Sequence, residues 1–416
     1  MKIRNIIAAC SIGNFLEWYD YALYGYLTSI LARVFFPSSE QTSALFNTLL
    51  IFAIGFIMRP IGSLIFGMIG DRAGRKISLL LSILLMTFPM ILMGILPTYV
   101  QIGMTAVITL AILRIFQGIP IGGEIGGIMC YLTEIAPAGK KGFFGSWSFL
   151  GSQVGFIVSS FEIYAFEKWM HPSALAEWGW RVSFIIGGLL GVFGWYLRRR
   201  LQETPAFQSL MVHHQLLKKP VAITFKNYKK QLFLAFCLSS ISSGAFYMVF
   251  FFSTTFLTDI LRMNVPQTLL INTGLLSLSC ICMPLFGQLG DRFGIKRLML
   301  ISSFGIILLP YFMYYFGSNS EYFLMFLFQT ILTLILTINY SLLPAFLAKI
   351  FPTQTRYTGV GFAYNLSNAI LGGPAPLLSL YLINSTGSKV APAFYFILLG
   401  VISLIPFLYK KLEHAQ

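Results

Sequence analysis

Residues 67–76 read GMIGDRAGRK, and residues 287–297 read GQLGDRFGIKR. Each stretch follows a long apolar run, and their aspartates, Asp71 and Asp291, lie about half of the 416-residue chain apart. A motif that returns at this distance indicates two homologous halves with the same internal order of segments. In membrane proteins, repeats of this kind predict two bundles of helices with a pathway between them.

The composition excludes a soluble globule. Hydrophobic residues make up 56% of the chain and charged residues only 10%, and the mean hydropathy is +0.77. Soluble domains contain roughly 25% charged residues. We therefore expect an all-α membrane protein. The five cysteines are odd in number and lie mostly in apolar segments, so we expect no disulfide framework, metal site or cofactor.

The apolar segments predict about twelve membrane-spanning helices, because a helix of about 20 apolar residues crosses the hydrocarbon core. The first segment is too long, and too acidic in its middle, to be a cleavable signal peptide. The predicted spans are 6–33, 42–67, 77–96, 101–133, 143–166, 180–200, 231–258, 267–287, 298–317, 321–349, 358–384 and 390–409.

The basic residues predict the orientation in the membrane. With the amino terminus inside, 22 of the 29 Lys and Arg residues fall in cytoplasmic segments, including Lys2, Arg198, Lys410 and Lys411, and 5 fall on the other side. The positive-inside rule then places both termini in the cytoplasm of a plasma membrane, which we expect to be a bacterial inner membrane. The net charge of +15 therefore indicates topology and contact with anionic lipid, and we expect no nucleic-acid partner.

The longest polar stretch divides the chain. We predict a first six-helix bundle over 1–200, a basic cytoplasmic linker over 201–230 and a second six-helix bundle over 231–416. Within the linker, ETPAF predicts a short helix, with Thr204 as the capping residue and Pro205 at the first helical position. In the fourth span, QGIPIGGEIGG has glycines at a spacing that permits close helix contact.

Several stretches together resemble the major facilitator superfamily, and within it the metabolite:proton symporters, which include proline/betaine, citrate, α-ketoglutarate and shikimate carriers. These stretches are GNFLEWYDY, RPIGSLIFGMIGDRAGRK, RIFQGIPIGGE, YLTEIAPAGKKGFFGSW, WGWRVSF, ETPAF and FPTQTRYTGVGFAYN. The resemblance implies two pseudo-symmetric six-helix bundles in a monomer. It also implies that Asp71 latches the two halves together in the outward-open state.

Two acids in the first span, Glu17 and Asp20, lie where the sequence offers no obvious solvation. With a rise of 1.5 Å per residue they lie roughly 18 and 22 Å deep, and Arg114 of the fourth span lies at a comparable depth. The resemblance to proton-linked sugar carriers implies that Asp20 carries a proton and that Arg114 modulates it. The alternative is a permanent pair that fixes helix packing. Glu17 could bind substrate, share the proton or only pair with an arginine.

Other polar residues within the spans are candidates for substrate binding. Arg59 and Glu124 lie at similar depths and form a second candidate pair, either as a structural tie or with Arg59 binding a substrate carboxylate. The second half has no ionisable residue deep in a span, so we expect neutral hydrogen-bonding groups there. The full candidate set is Asn14, Glu17, Tyr21, Tyr24, Arg59, Arg114, Glu124, Gln153, Tyr247, Asn339, Tyr364, Asn365 and Asn368.

A second group of residues is predicted to form a cytoplasmic gate. An aspartate in this loop can cap a helix N-terminus, where negative charge meets the positive end of the dipole. The second copy of the motif has Ile295 in place of Arg75, so we expect a weaker contact at Asp291. The predicted gate residues are Asp71, Arg72, Arg75, Glu134, Asp291, Arg292 and Arg356.

The sequence thus predicts a secondary transporter that takes up a small carboxylate or zwitterion together with protons by alternating access. One alternative is a proton-antiport exporter, although the fifth span, GSWSFLGSQVGF, has no proline of the kind typical of drug antiporters. A membrane-embedded enzyme is a more distant alternative, because each GDR loop offers one acid only and not a carboxylate cluster for Mg²⁺.

Overall fold

The computed structural model describes residues 3–37 and 40–409, which are almost entirely helical. The outer ends of the two predicted bundles, residues 1–2 and 410–416 with Lys2, Lys410 and Lys411, lie outside the described residues. The helices of the first half are α1 (Ile3–Tyr26, continued by Thr28–Phe35), α2 (Gln41–Arg72), α3 (Arg75–Ile95), α4 (Met104–Ile135), α5 (Lys141–Trp169) and α6 (Trp180–Arg199).

The second half repeats this order of six helices. They are α7 (Lys229–Ile260), α8 (Val265–Phe293), α9 (Ile295–Ser318), α10 (Tyr322–Ile350), α11 (Thr353–Thr386) and α12 (Pro392–Leu408). The prediction of twelve spans is confirmed. Within the described residues, the nine helices α3 to α11 are long and apolar enough by composition alone to cross a membrane.

Two of these helices contain π-helical turns. In α7 they lie at Ile241–Ala245, Tyr247–Phe252 and Phe256–Ile260, and in α11 at Asn368–Gly372. A π-helical turn widens the helix locally and is frequent at functional sites. The π-helical part of α7 is therefore a candidate wall of a ligand cavity.

Helix packing follows the internal repeat. In the first half α1 packs on α5, α2 on α4 and α3 on α6, and in the second half α7 packs on α11 and α9 on α10 and α12. The two halves meet where α2 and α4 contact α11, and where α5 contacts α8 and α10. The α2–α11 and α5–α8 contacts are equivalent positions of the two repeats, so the halves are related by pseudo-symmetry.

Glycines allow α2 and α4 to approach closely, as the spacing predicts. A Cβ atom added at Gly122 would overlap the carbonyl oxygen of Arg59, and one added at Gly62 would overlap the carbonyl oxygen of Ile119. Across the halves, a Cβ at Gly126 would lie 2.6 Å from the Cα of Gly361. These contacts bring the backbone of α2 against that of α4 and fix where Arg59 leaves its helix.

The linker contains the predicted short helix, Pro205–Val212, and a second one, Pro220–Asn227. Thr204 caps the first, because its Oγ1 accepts a hydrogen bond of 3.3 Å from the Phe207 N–H. The linker and the loops around Asp71 and Asp291 lie on one side of the molecule, which we call the basic face. The other side is the opposite face.

The close approach of α2 and α4 predicts the effect of a single methyl group. Gly122→Ala should lower the melting temperature in detergent, because overpacking costs about 1–3 kcal/mol. Gly274→Ala is the matched control, since Gly274 is also helical and has open space around it. There alanine should keep or raise the melting temperature through its better helix propensity. Equal melting temperatures for the two variants would contradict the α2–α4 contact.

Candidate functional site

Asp20 and Arg114 meet as the sequence predicts. Arg114 Nη1 lies 2.5 Å from Asp20 Oδ2, and Gln117 Nε2 donates to Asp20 Oδ1 at 3.3 Å. The Arg114 guanidinium also lies 4.0 Å from the ring centroid of Tyr24. Both oxygens of the carboxylate are therefore hydrogen-bonded within the first half. The role of Asp20 in proton coupling stays a prediction.

The predicted pair of Arg59 and Glu124 is wrong. Arg59 Nη2 instead bonds Glu17 Oε1 at 2.8 Å, and Arg59 Nε donates to Asn365 Oδ1 of the second half at 3.1 Å. Both side chains of the ion pair are buried. Depth along the helix axis suggested the wrong partner, because it carries no information on rotation about that axis, which turns Glu124 away from α2.

Glu124 pairs with Arg198, a residue that the sequence analysis assigned to the cytoplasmic segment. Arg198 is fully buried, binds Glu124 through Nη1 and Nη2, and donates to the backbone carbonyls of Ala9, Cys10 and Leu79. Ser82 also donates to Glu124. Arg198 belongs to a run of three arginines, a pattern that is typical of a solvated helix end. The sequence prediction paired Glu124 with Arg59, so no signal pointed to Arg198 as its partner.

Three more predicted residues bond within or between the helices and do not line a cavity. Asn14 donates to the Ser148 carbonyl at 2.6 Å, and Tyr24 to the Thr48 carbonyl at 3.2 Å. Gln153 donates to Ser279 of the second half at 3.0 Å. Gln153 therefore tethers α5 to α8, and the expectation that it faces the cavity is wrong for this conformation.

The predicted asparagines of the second half differ in their hydrogen bonding. Asn365 Nδ2 donates to the carbonyls of Gly122 and Gly361, and Asn368 donates to the Tyr364 carbonyl within α11. Asn339 is buried, and neither of its amide atoms has a hydrogen-bond partner among the described residues.

A cavity of about 780 Å³ lies between the halves and extends toward the opposite face. Of the predicted substrate residues, Tyr21 and Tyr247 line it. Its described lining contains no Asp, Glu, Lys or Arg. The lining residues are Trp18, Tyr21, Ala22, Gly25, Tyr26, Ile57, Phe156, Tyr247, Phe250, Phe251, Thr254, Thr255, Leu269, Asn272, Ala369, Gly373, Pro374 and Leu377.

Four rings of this lining form a closed circuit across the two halves. Ring centroids are 6.3 Å apart for Trp18 and Tyr247, 5.4 Å for Tyr247 and Phe251, 5.1 Å for Phe251 and Phe156, and 6.1 Å for Phe156 and Trp18. We call these residues the aromatic wall. Faces of aromatic rings attract weakly hydrated cations. Of these four residues the sequence predicted Tyr247 alone as a substrate residue, although FYMVFFF in α7 could have indicated a lined cavity.

The basic face is closed by two equivalent caps. Asp71 accepts hydrogen bonds from the N–H groups of Tyr357 and Thr358, at 3.1 and 2.9 Å, at the start of α11. Asp291 accepts from the N–H groups of Gly142 and Phe143, at 2.7 and 2.8 Å, at the start of α5. Each aspartate thus caps a helix of the other half. The N–H bonds of the two aspartates are therefore alike, and the expected asymmetry lies in the ion pair of 3.4 Å between Asp71 and Arg75, which Ile295 cannot form with Asp291.

Around the first cap an ion network joins the halves. Glu134 binds Arg75 through two hydrogen bonds of 3.1 Å, binds Arg356 at 2.8 Å and accepts from Thr204 at 2.6 Å. Glu203 was not among the predicted gate residues. Its carboxylate accepts hydrogen bonds of 3.1 Å from the N–H groups of Arg75 and Lys76 and so caps α3. Its place directly before the Thr204 cap was the available signal.

Two predicted gate residues stay outside this network. The side chains of Arg72 and Arg292 are exposed, and neither forms an ion pair in the described part of the chain. Each follows its capping aspartate by one residue, which points it to a different side of the helix.

Comparisons with known proteins agree with this architecture. A family model described as sugar (and other) transporter matches residues 6–222, and one described as major facilitator superfamily matches residues 236–416. The proline/betaine transporter of Escherichia coli (strain K12) is 31% identical over 413 residues, which cover 97% of this chain and 82% of the relative. The chain belongs to the major facilitator superfamily.

Two further proteins resemble this chain over nearly its whole length. The citrate-proton symporter of Klebsiella pneumoniae is 32% identical over 408 residues, covering 96% of this chain and 90% of that protein. The solved structure of the proton:xylose symporter XylE superposes with a TM-score of 0.79 at 18% identity, covering 98% of this chain and 94% of that chain. At this identity the match shows the shared fold, and the predicted superfamily fold is confirmed.

The two caps predict how the basic face opens. Asp71→Asn and Asp291→Asn should each loosen it, because a neutral amide interacts less with the positive end of a helix. The readout is alkylation of Ser146→Cys, a buried α5 position beside Gly287 of α8, in a background without the five native cysteines. Each aspartate variant should raise the alkylation rate several-fold. Arg72→Ala is the control and should not; a rate unchanged by both aspartate variants would refute the role of the caps.

Proposed function

We propose that this protein couples the uptake of a small organic solute to inward movement of protons by alternating access, and that the solute is a carboxylate or zwitterion. One observation carries the proposal: a cavity between the bundles extends to the opposite face, buried carboxylate–arginine pairs lie directly behind it, and the basic face is closed. Two relatives named as a proline/betaine transporter and a citrate-proton symporter support it.

The basic face is then the cytoplasmic face of a bacterial inner membrane, with both termini on that side. The distribution of Lys and Arg supports this orientation. The moving units are the bundles 1–200 and 231–416 of a monomer, and 201–230 connects them. In this conformation the cavity faces outward, so the Asp71 and Asp291 caps and the Glu134 network must break for solute release inside.

The proton is carried by Asp20. A charged carboxylate is stable in the dry bundle because Arg114 pairs with it, and protonation releases that arginine. Proton occupancy therefore decides whether α1 and α4 are held together at this point. A carboxylate that alternates between an arginine and a proton couples a chemical gradient to helix movement.

The charges around the cavity favour a zwitterion with a bulky, weakly hydrated cationic group. The aromatic wall suits such a group, and Arg59, which lies 5.9 Å from the ring centroid of Tyr21, suits its carboxylate. A tricarboxylate would need several cations, whereas the described lining of the cavity has none. Betaines and N-alkylated amino acids such as proline fit both requirements.

Transport by the purified protein in phospholipid vesicles tests this function. With an inward proton gradient, glycine betaine or L-proline should accumulate, and a protonophore should abolish the accumulation; citrate is the comparison solute. Accumulation driven only by an outward proton gradient would indicate influx by antiport. Absence of gradient-dependent flux for all three solutes would overturn the proposal.

The assigned proton carrier has its own test. Asp20→Asn should abolish proton-driven accumulation and keep part of the solute exchange between the two sides, because the neutral side chain mimics the protonated state. Arg114→Ala should alter the pH profile of uptake. Normal accumulation by Asp20→Asn would exclude Asp20 as carrier, and an unaltered pH profile of Arg114→Ala would exclude its assigned role.

A further inference from the structure

We propose that Glu17 is an internal counter-ion which the carboxylate of the solute replaces on Arg59, and that the displaced Glu17 takes up a proton. The inference rests on the proposed function in one respect, that the solute carries a carboxylate. In this proposal Glu17 is the residue at which solute binding is coupled to proton binding.

The bonding of Glu17 differs from that of its neighbour on α1. Oε1 of Glu17 bonds Arg59, whereas Oε2 is buried and has no hydrogen-bond partner among the described residues. Both oxygens of Asp20 are bonded, by Arg114 and Gln117. Of these two acids of α1, Glu17 is therefore the one held at a single oxygen, and its other oxygen can receive a proton.

Arg59 is the buried arginine closest to the cavity. Its guanidinium lies behind Tyr21, and Tyr21 and Tyr247 both line the cavity. Arg114 is stacked on Tyr24, which is not part of the cavity lining, and Arg198 is surrounded by backbone carbonyls. A ring rotation of Tyr21 would bring a solute carboxylate to Arg59.

The Arg59 guanidinium also contacts both halves at once. It binds Glu17 of α1 and Asn365 of α11. A solute that replaces Glu17 on Arg59 would therefore lie at the junction of the bundles, beside the aromatic wall. Its cationic group can contact the aromatic wall while its carboxylate occupies the position that Glu17 vacates.

The surroundings of Glu17 do not tolerate its free charge. The titratable and charged groups that face it are Arg59 of α2, Glu124 of α4, Tyr21 of α1, Tyr247 of α7 and Tyr364 of α11. Glu124 is a like charge, and Arg59 is the only cation of this set. Once the solute holds Arg59, an ionised Glu17 is buried without a partner, which is strongly unfavourable. A proton on Oε2 removes that charge.

The exchange links solute binding to a proton on Glu17, in addition to the proton that Asp20 carries. Arg59 keeps one carboxylate in both states, and the zwitterion and the proton together add one positive charge to the site, carried by the cationic group of the solute. A bound solute without the proton leaves Glu17 charged and unpaired, and a proton without the solute leaves Arg59 unpaired. Both half-loaded states are costly, so solute and proton bind together or not at all.

Binding of glycine betaine by the purified protein, followed by tryptophan fluorescence because Trp18 lines the cavity, tests the exchange. If Glu17 must be protonated, the apparent Kd of the wild type should rise about tenfold per pH unit at alkaline pH. Glu17→Gln should bind with a Kd that does not change with pH. Choline, which lacks the carboxylate, should bind weakly and independently of pH to both. If vesicles accumulate L-proline instead, L-proline and pyrrolidine replace the two probes.

Two further variants serve as controls for this test. Glu17→Asp retains a carboxylate and should retain the pH dependence, which controls for misfolding in Glu17→Gln. Glu321→Gln should also retain it, because Glu321 is exposed directly before α10 and does not line the cavity. An unchanged slope in Glu17→Gln would overturn the exchange, and so would a slope that is lost in Asp20→Asn and kept in Glu17→Gln. Failure of the proposed function is a different result, namely wild-type vesicles that accumulate no solute.

Discussion

The structure depends on one constraint: an ionised side chain inside a bundle surrounded by lipid must have a partner of opposite charge. The first half meets it three times, with Asp20 on Arg114, Glu17 on Arg59 and Glu124 on Arg198. Breaking a buried pair by removing one partner costs about 3–5 kcal/mol. Each pair therefore holds its helices together until a proton or another anion takes the place of one member.

The three pairs differ in what surrounds them, and this difference separates their functions. Arg198 is enclosed by backbone carbonyls of α1 and α3, so the Glu124 pair ties helices within one bundle. Arg59 contacts the second bundle through Asn365 and lies next to the cavity. Burial alone makes the pairs look alike, whereas their neighbours distinguish a fixed tie from an exchangeable contact.

The sequence predicted the fold better than the site. Hydropathy and the repeated GDR motif are properties of whole segments, so they identified twelve helices and the capping role of Asp71. The depth of Asp20 and Arg114 also suggested their contact, because the rise per residue is constant. Partner choice depends on rotation of each helix about its axis, which no local pattern encodes. For this reason Arg59 was assigned the wrong acid, and Arg198 was placed in solvent.

In its described residues the second half contains no carboxylate, lysine or arginine deep in a span, and apart from Arg356 at the basic face its buried polar groups are neutral amides and hydroxyls. A full charge that crosses 100 mV gains or loses about 2.3 kcal/mol. The guanidinium and carboxylate groups of the first bundle balance each other as pairs, so membrane voltage does net work on that bundle once a proton or a solute leaves one of them unbalanced, and it does little work on the second bundle. Reorientation of the second bundle should be electrically silent, and any current that accompanies the conformational cycle should arise in α1, α2, α4 and α6.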